Sequence, residues 1–365
     1  MKALKRILSL ITIVFFISNL SINLNIKNIQ TVFAQTNPAK VAVFLLDFTD
    51  DLISEIRQNL EEIQKQHPNE VQYTFYDAKS DESTQNAQIE KALNEGIFDL
   101  IILNIVNRGN ATTVINRIKE FNIPVILFNR EPLTPVPLQS YGKALYIGTD
   151  GKQAGTLQGK MLIDAWNTSS KDIDKNNDNI MQYVMLEGEG DNAEAIERTK
   201  YSVSTIEKAG IKTQQVALAI ADWREDLAYN AMKTIYEKYK DQIEVIIAND
   251  DSMAIGAVKA LQEYGYNKGD LSKTIPIVGV DVIPDAKELI DKGEMLGSIF
   301  QFPKDYADAL YATGINMIAG KSPIANTKYT LDDTRVSIRL PQNKYYYRNM
   351  FTGENAIEGT NEDPK

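Results

Sequence analysis

Apolar segments of strand length alternate with segments of helical length along most of the chain, and this alternation limits the fold more than any other feature. Short, nearly continuous apolar runs are typical of strands buried on both faces of a parallel sheet. Helices between such strands cover those faces. The predicted strands form a first set at 41–46, 71–76, 100–105, 124–128 and 144–147, and a second set at 183–186, 213–220, 245–248, 275–280 and 296–300.

A polar insertion at 167–179 separates the two sets of strands. Segments of helical length lie between the strands of each set, as at 51–65 and 193–209. We therefore predict an α/β fold with two doubly wound parallel-sheet lobes. The polar residues 353–365 are predicted to form a flexible tail.

Residues 1–34 have the composition of an export signal. Lys2, Lys5 and Arg6 precede an apolar run at 7–20, and small residues before Gln35 suit cleavage of a signal peptide. An uncleaved membrane anchor is the alternative. This segment carries four basic residues and no acidic residue, so the rest of the chain has a net charge of −14 instead of −10. An acidic exported body argues against binding to nucleic acid.

The absence of cysteine and the scarcity of histidine exclude several kinds of site. Without cysteine there can be no disulfide, thiolate metal site, cysteine nucleophile or lipid-anchored cysteine. The single histidine, His67, lies in a polar turn. One imidazole cannot build a zinc site, and a Ser-His-Asp triad would have to depend on it alone.

Five positions in the segment 174–182 follow the ligand order of a calcium loop. Side-chain oxygens of Asp174, Asn176 and Asp178, the backbone oxygen of Ile180 and the side-chain oxygen of Gln182 match positions 1, 3, 5, 7 and 9 of an EF-hand. Met185 stands where an EF-hand has its glutamate, and the residues after the loop resemble a strand. A distant carboxylate must therefore complete the site. The alternative is a solvated turn rich in Asn and Asp.

Polar and aromatic side chains follow most of the predicted strands. Ligands of parallel α/β sheets bind beyond the carboxyl ends of the strands, so we expect these side chains to share a cleft. Carboxylates, amides and an arginine match the hydroxyls of a sugar, and an aromatic ring covers its C–H face. Helix N-capping by the aspartates and a glycosidase with paired carboxylates are the alternatives. The residues are Asp47, Asp50, Asn129, Arg130, Asp150, Glu189, Asn192, Trp223, Arg224, Asp250, Asp251, Asp281 and Gln301, with Arg198 on the helix after Asn192.

From Lys40 to about Met350 the chain resembles the periplasmic galactose/glucose-binding proteins, which are the substrate-binding proteins of sugar ABC importers. The resemblance is carried by short stretches spread over this whole length. They are Asp81-Glu-Ser-Thr-Gln-Asn-Ala-Gln-Ile89, Phe128-Asn-Arg-Glu-Pro132, Tyr146-Ile-Gly-Thr-Asp150, Glu187-Gly-Glu189, Arg198-Thr-Lys-Tyr201, Ala221-Asp-Trp223, the segment 245–254, and Val278-Gly-Val-Asp281.

The resemblance implies a type I periplasmic-binding-protein fold, in which a three-crossing hinge joins the two lobes. The N-terminal lobe would comprise 38–148 and 302–334, and the C-terminal lobe 149–301 and 335–352. The chain crossings would lie near 148–150, 300–302 and 335–339. Closure of this hinge around a ligand would bring groups of both lobes into contact with it.

The resemblance also implies which carboxylate completes the calcium loop. In the family, a glutamate at the start of a later strand closes the half-site. Glu244 stands at that position in this chain. The implied structural Ca²⁺ site therefore comprises Asp174, Asn176, Asp178, Ile180, Gln182 and Glu244.

The implied sugar site keeps only part of the family pattern. Asp50, Asn129, Arg198, Trp223 and Asp281 match sugar-contacting residues of the family. At other positions Leu52 replaces an aromatic residue, Asn192 and Glu194 replace a His and an Asp, and Asp250 and Gln301 each replace an Asn. A misplaced polar contact costs about 1–3 kcal/mol, so these changes leave the identity of the sugar open.

We expect an exported, monomeric protein that binds a galactose- or glucose-like monosaccharide and performs no catalysis. It would act in the periplasm or at the outer face of the cytoplasmic membrane, and deliver its ligand to the permease of an ABC importer. The alternative is a sugar sensor that hands its closed form to a membrane sensor kinase. A sugar-responsive transcription regulator with a similar core would begin with a basic helix-turn-helix, whereas this chain begins with an export signal.

Overall fold

The computed structural model of the protein describes residues 37–349 and 354–359. The predicted signal peptide at 1–34 lies outside the described residues. Two sheets with helices on both faces form two lobes, which confirms the predicted α/β architecture. Among the helices that the structure describes, none is both long enough and apolar enough to cross a membrane.

The first lobe is built on six parallel strands. They are β1 Ala39–Leu45, β2 Val71–Asp77, β3 Leu100–Leu103, β4 Val125–Phe128, β5 Ala144–Gly148 and β11 Ser337–Arg339, in the order β11-β5-β4-β3-β1-β2. Helices α1 Asp51–Gln66 and α10 Pro303–Ile318 pack on one face of this sheet, and α2 Glu82–Glu95, α3 Ala111–Glu120 and α4 Val136–Gln139 cover the other. Both faces are apolar because parallel strands in such a sheet have no solvent side.

The second lobe contains seven strands among the described residues, and only Asn343–Asn349 runs opposite to the others. They are β6 Ile180–Glu187, β7 Lys212–Ile220, β8 Val245–Ala248, β9 Ile277–Asp281, β10 Gly297–Phe300, β12 Asn343–Asn349 and β13 Glu354–Gly359, in the order β13-β12-β10-β9-β8-β6-β7. The helices are α5 Gly151–Ile173, α6 Ala193–Lys208, α7 Glu225–Tyr239, α8 Asp251–Glu263 and α9 Pro284–Asp291. Helices α5 and α6 pack together on one face of the sheet, and α7 and α8 pack together on the other.

The chain passes between the lobes three times, but the third crossing differs from the predicted one. The first crossing follows β5 and the second follows β10, as expected. The segment 335–339 was predicted to be the third crossing, but Ser337–Arg339 is strand β11 and pairs with β5 in the first sheet. The crossing therefore lies at 340–342, between β11 and β12. A strand of three residues is too short to show a periodic pattern in the sequence.

Two further boundaries differ from the sequence prediction. Part of the tail predicted to be flexible, Glu354–Gly359, forms β13 and pairs antiparallel with β12. Backbone hydrogen bonds at a sheet edge can hold a polar segment that has no apolar pattern. The predicted polar insertion at 167–179 is also too long, because helix α5 continues to Ile173 and includes 167–173. That helix is kinked at Ser169, which has non-helical backbone angles.

Candidate ligand-binding cleft

A cavity of about 960 Å³ lies between the lobes, where the carboxyl ends of the strands of both sheets meet. The fold brings together the residues that the resemblance implied for the sugar site, although these residues are spread over some 250 positions. Two of the other strand-end residues that were expected to share the cleft, Asp150 and Asp251, do not line the cavity. Asp150 is the N-cap of α5, and Asp251 is buried, where it accepts hydrogen bonds from Ser298 Oγ and Ile283 N. Leu52, which stands where the family resemblance implied an aromatic wall, lines the same cavity. The predicted residues that line it are Asp50, Asn129, Asn192, Glu194, Arg198, Trp223, Asp250, Asp281 and Gln301.

The first lobe presents Asp50 and Asn129 to the cleft. Asp50 is the N-cap of α1, and its Oδ1 accepts a hydrogen bond of 2.9 Å from the backbone N–H of Ile53. Burial raises the pKa of Asp50. Asn129 follows β4 in a left-handed conformation with φ of 58°, and Asn104 Nδ2 lies 3.2 Å from its Oδ1. The N-capping alternative and the cleft assignment are therefore both correct for Asp50, because capping occupies only one of its oxygens.

Arg198 is the buried cation of the second lobe, with 2% of its surface exposed. Its Nη1 donates to the backbone oxygen of Asn249 at 2.8 Å, and its Nη2 donates to Glu194 Oε2 at 3.0 Å. Its Nε is buried and has no partner. Burial raises the pKa of Glu194, although the charge of Arg198 lowers it. Two of the three guanidinium nitrogens are therefore engaged inside the second lobe.

Trp223 forms an aromatic wall beside this guanidinium. The Arg198 Cζ atom lies 5.7 Å from the centre of the Trp223 ring. Trp223 has a positive φ of 63°, in a turn after β7. The ring also packs closely on Gly188, where an added Cβ would lie 2.3 Å from Trp223 Cζ2. A glycine at 188 is thus required for the ring to take this position.

Asp250 and Asp281 are acidic groups at the ends of β8 and β9. Asp250 is the N-cap of α8 and accepts a hydrogen bond of 2.8 Å from Met253 N, while Asp281 Oδ1 accepts one of 2.6 Å from Gln301 Nε2. Burial raises the pKa of Asp250 to about 7, and burial likewise raises the pKa of Asp281 well above its usual range. The second oxygen of each carboxylate has no hydrogen-bond partner among the described residues. Both groups are therefore held in place with an acceptor left free.

Gln301 links the cleft to the hinge. It lies in the second crossing, and its Oε1 accepts hydrogen bonds from the hydroxyls of Thr149 at 2.8 Å and Tyr306 at 3.1 Å. Thr149 lies in the first crossing and Tyr306 on α10 of the first lobe. The amide end of Gln301 holds Asp281 at the same time. A cleft carboxylate and two hinge segments are thus connected by a single side chain.

Asn192 has its side chain engaged inside the second lobe. It is the N-cap of α6, where its Oδ1 accepts a hydrogen bond of 2.9 Å from Glu194 N. Its Nδ2 donates to Glu189 Oε2 at 3.2 Å. Both ends of the amide therefore already have partners, so Asn192 offers less to a ligand than the sequence pattern suggested.

Two arginine contacts join the lobes across the cleft, and sequence reasoning did not predict them as bridges. Arg130 of the first lobe binds Glu189 of the second with both amino groups, at 3.1 and 3.2 Å. Arg108 Nη2 donates to the backbone oxygen of Asp191 at 2.7 Å. Arg130 and Glu189 were visible as polar residues at strand ends, but their pairing depends on how the lobes face each other.

The predicted calcium loop is compact, and Glu244 lies against it as the resemblance implied. Glu244 Oε1 accepts from Lys175 N at 2.8 Å and its Oε2 from Gln182 N at 3.0 Å. Asp174 accepts hydrogen bonds from the backbone of 178 and 179, and Asp178 Oδ2 accepts one of 2.8 Å from Gln182 Nε2. Within the part of the chain that the structure describes, no group of three or more Asp, Glu or His side chains is placed to hold a metal ion.

Two observations at this loop fit an oxygen-bound cation. Gln182 Oε1 is buried and has no hydrogen-bond partner. The pKa of Glu244 is raised to about 7 by burial and by the nearby charges of Asp174 and Asp178. Carboxylate, amide and backbone oxygens together are the ligands that Ca²⁺ takes in proteins. The residues of the loop therefore suit Ca²⁺, with amide and backbone oxygens as ligands beside the carboxylates.

Comparison with known proteins decides the family. The model of the periplasmic binding protein domain matches residues 41–322. The chain belongs to the periplasmic binding protein family. The D-galactose/methyl-galactoside binding periplasmic protein MglB of Haemophilus influenzae is 33% identical to this family member over 307 residues, which cover 84% of this chain and 89% of that protein. A xylitol-binding protein of Mycolicibacterium smegmatis is 25% identical over 342 residues, which cover 89% of this chain and 90% of that protein.

Solved structures of other family members have the same fold. An ABC transporter periplasmic solute binding protein from Actinobacillus succinogenes with bound D-allose superposes with a TM-score of 0.70 at 19% identity, covering 86% of this periplasmic binding protein and 99% of that chain. A solute binding protein from Bacillus halodurans with bound myo-inositol has a TM-score of 0.69 at 20% identity, covering 88% and 99%. At this identity the likeness establishes the two-lobe fold.

Proposed function

We propose that this protein is an exported binding protein that captures one monosaccharide and delivers it to an ABC importer. The observation that carries the proposal is the cleft, where carboxylates, amides and an arginine from both lobes surround one cavity beside an aromatic wall. Sugars are recognised by this combination of planar polar groups and an aromatic face. Membership of the periplasmic binding protein family and the sugar-binding relatives support the same reading.

Closure of the lobes is the functional event in this proposal. The bridges Arg130–Glu189 and Arg108–Asp191 exist only when the lobes face each other across the cleft. Ser252 of the second lobe also lies 3.3 Å from a carboxylate oxygen of Asp51 in the first. A ligand that contacts both lobes shifts the population toward this closed form, because the contacts are lost on opening. The importer would recognise that closed form.

We propose the importer as the receiver because two similar solved structures are solute binding proteins of ABC transporters. A sensor kinase remains the alternative receiver that the sequence suggested. Export of the chain, by a signal at 1–34, follows from the same proposal, since its relatives are periplasmic proteins. The protein would carry out no turnover, because a binding protein releases its ligand unchanged.

We also propose that the loop holds a structural Ca²⁺ through Asp174, Asn176, Asp178, Ile180, Gln182 and Glu244. The bound cation would supply positive charge to the acidic side chains of the loop. The support is the partnerless Gln182 Oε1 and the raised pKa of Glu244. Glu244 opens β8, so this contact would tie the loop to the centre of the second sheet.

A melting-temperature screen of the mature chain tests the sugar proposal. Each common hexose, pentose and amino sugar is added in excess, and we expect at least one of them to raise the melting temperature, because a ligand that binds only the folded state stabilises it. Free amino acids and short peptides serve as the control and should leave the melting temperature unchanged. If none of the sugars raised the melting temperature, the cleft would not be a monosaccharide site.

A further inference from the structure

The cleft has a large excess of negative charge. Among the described residues that line it, eleven are acidic and three are basic, all three being arginines. The acidic residues are Asp47, Asp50, Asp51, Glu189, Glu194, Asp222, Glu225, Asp226, Asp250, Asp281 and Asp285. A neutral sugar needs hydrogen-bond acceptors but has no charge to balance this excess.

Each of the three arginines already has a carboxylate partner of its own. Arg198 pairs with Glu194 at 3.0 Å, Arg130 with Glu189 at 3.1 Å, and Arg224 with Asp226 at 2.7 Å. The cations of the cleft therefore neutralise three of its acidic groups. Among the described residues, none of the remaining carboxylates forms an ion pair with an arginine of the cleft, although the charge of Arg198 lowers the pKa values of Asp250 and Asp281.

Three of these remaining carboxylates lie at the strand ends that face each other across the cavity. Asp50 comes from the first lobe, and Asp250 and Asp281 come from the second. Each accepts one hydrogen bond, and its second oxygen has no partner in the part of the chain that the structure describes. Asp250 is only 6% exposed, so its free oxygen has little access to bulk water.

Burying a carboxylate without a partner costs free energy and raises its pKa. The pKa values of Asp50, Asp250 and Asp281 are all raised, with burial as the largest cause in each case. The charges of neighbouring aspartates raise the pKa further at each position. A ligand that brings a positive charge among these groups would offset the cost, because an ammonium group forms an ion pair with a carboxylate, whereas a sugar hydroxyl forms only a hydrogen bond.

We propose that the ligand is an amino sugar, a monosaccharide whose protonated primary amine is bound by the free oxygens of Asp250 and its neighbours Asp50 and Asp281. This inference rests on the proposed function and specifies the class of ligand. The ring carbons of the sugar lie against Trp223. Asp250 supplies the carboxylate that selects the amine.

Calorimetric titration of the mature chain tests the inference. The probes are D-glucosamine and D-galactosamine, their neutral parents D-glucose and D-galactose, and the N-acetylated forms, all at neutral pH. We expect an amino sugar to bind about tenfold or more tightly than its parent, since one charge-assisted contact contributes about 1.5–3 kcal/mol. The N-acetylated form has no positive charge and should lose this advantage.

The variant Asp250→Asn tests whether the acid selects the amine. Its amide keeps the N-cap of α8 but cannot neutralise an ammonium group. We expect this variant to lose most of the amine preference, measured as the ratio of the affinities for the amino sugar and for its neutral parent. Asp81→Asn is the matched control, because Asp81 is also a helix N-cap that accepts a backbone hydrogen bond, and it does not line the cleft.

The outcomes separate the inference from the function on which it rests. If a neutral sugar binds as tightly as its amino form or more tightly, the amino-sugar inference is wrong and the monosaccharide function stands. An equal amine preference in the wild type and Asp250→Asn would also overturn the role of Asp250. If neither series binds, the proposed function fails together with the inference.

Discussion

The cleft and the 174–182 loop both collect acidic side chains, but the protein satisfies those side chains in different ways. In the loop, the oxygens of Asp174, Asp178 and Glu244 accept hydrogen bonds from nearby N–H groups of the loop and of the strand that follows it. In the cleft, Asp250 and Asp281 each keep one oxygen without a partner. The loop is therefore held in shape by its own backbone, whereas the cleft leaves acceptors free for a ligand that both lobes contact.

The largest loss of stability is expected when the ion pair between Arg198 and Glu194 in the cleft is broken. Arg198→Met removes the cation that pairs with Glu194 and leaves that buried carboxylate uncompensated. Breaking a buried pair in this way costs about 3–5 kcal/mol. We expect the free energy of unfolding, measured with urea, to fall by about this amount.

Arg117→Met is the control for this prediction. Arg117 forms ion pairs with Glu90 and Glu120 on the surface, where solvent screens them. It should unfold at almost the same urea concentration as the wild type. Equal destabilisation by the two variants would show that the Arg198–Glu194 ion pair contributes no more to stability than an ion pair on the surface.

The next effect concerns the loop. If it holds Ca²⁺, saturating calcium should stabilise the chain by roughly 2.7 kcal/mol at a hundredfold excess over the dissociation constant. Glu244→Gln should weaken this stabilisation as strongly as Asp174→Asn, because each removes one carboxylate from the proposed ligand set. The measurement is the melting temperature with calcium and with a chelator. A wild-type chain that melts at the same temperature in both would refute the calcium proposal.

The cleft and the loop also differ in how much of each could be predicted from sequence. Asp50, Asp250 and Asp281 were predictable because the carboxyl ends of parallel strands converge. The loop ligands were predictable because their spacing is local, but Glu244 required the family resemblance. No local pattern revealed the bridge from Arg130 to Glu189, since it depends on the angle between lobes.

Boundaries that depend on pairing were the least predictable part of the fold. Strand β11 has three residues, and its place beside β5 is supported by contacts of Arg339 with Glu131 and with the backbone oxygen of Thr149. Nothing in the sequence near 335–339 separates such a strand from a hinge segment. Strand β13 is likewise defined by its partner strand and not by an apolar pattern.

Gly188 provides a test of the cleft that leaves the polar groups untouched. Gly188→Ala places a Cβ 2.3 Å from the Trp223 ring, so the ring must move. We expect sugar binding to weaken by about 1.5–3 kcal/mol, the contribution of a buried aromatic face. Gly142→Ala is the control, because an added Cβ meets no atom within 4 Å there. Unchanged affinity in Gly188→Ala, measured by calorimetry, would show that Trp223 is not a platform for the ligand.

The smallest effect concerns pH. The pKa of Asp250 is about 7 in the folded chain, because burial, Asp50 and Asp51 outweigh the favourable charge of Arg198. The folded chain therefore holds this proton more tightly than the unfolded chain, whose aspartates have pKa values near 3.9. Stability linked to Asp250 is present below about pH 4 and is lost as the pH rises through about 7.

Comparison of melting curves with those of Asp250→Asn isolates this contribution. Without ligand, the melting temperature of the wild type should fall between pH 5 and pH 8 by about 2 °C more than that of the variant. Titrating groups that do not interact with Asp250 cancel in the difference, whereas Asp251 and Asp281, whose pKa values are raised by the charge of Asp250, contribute to it. Parallel pH profiles for the two proteins would mean that Asp250 does not titrate in this range.

Calorimetry on two single variants tests most directly whether the cleft binds the sugar. The best-binding sugar of the screen and Ca²⁺ are each titrated into the wild type, Trp223→Ala and Glu244→Gln. We expect Trp223→Ala to weaken sugar binding by about tenfold or more and to leave Ca²⁺ binding unchanged. Glu244→Gln should weaken Ca²⁺ binding and leave the affinity for the sugar unchanged. Full sugar affinity in Trp223→Ala would contradict the assignment of the cleft as the sugar site.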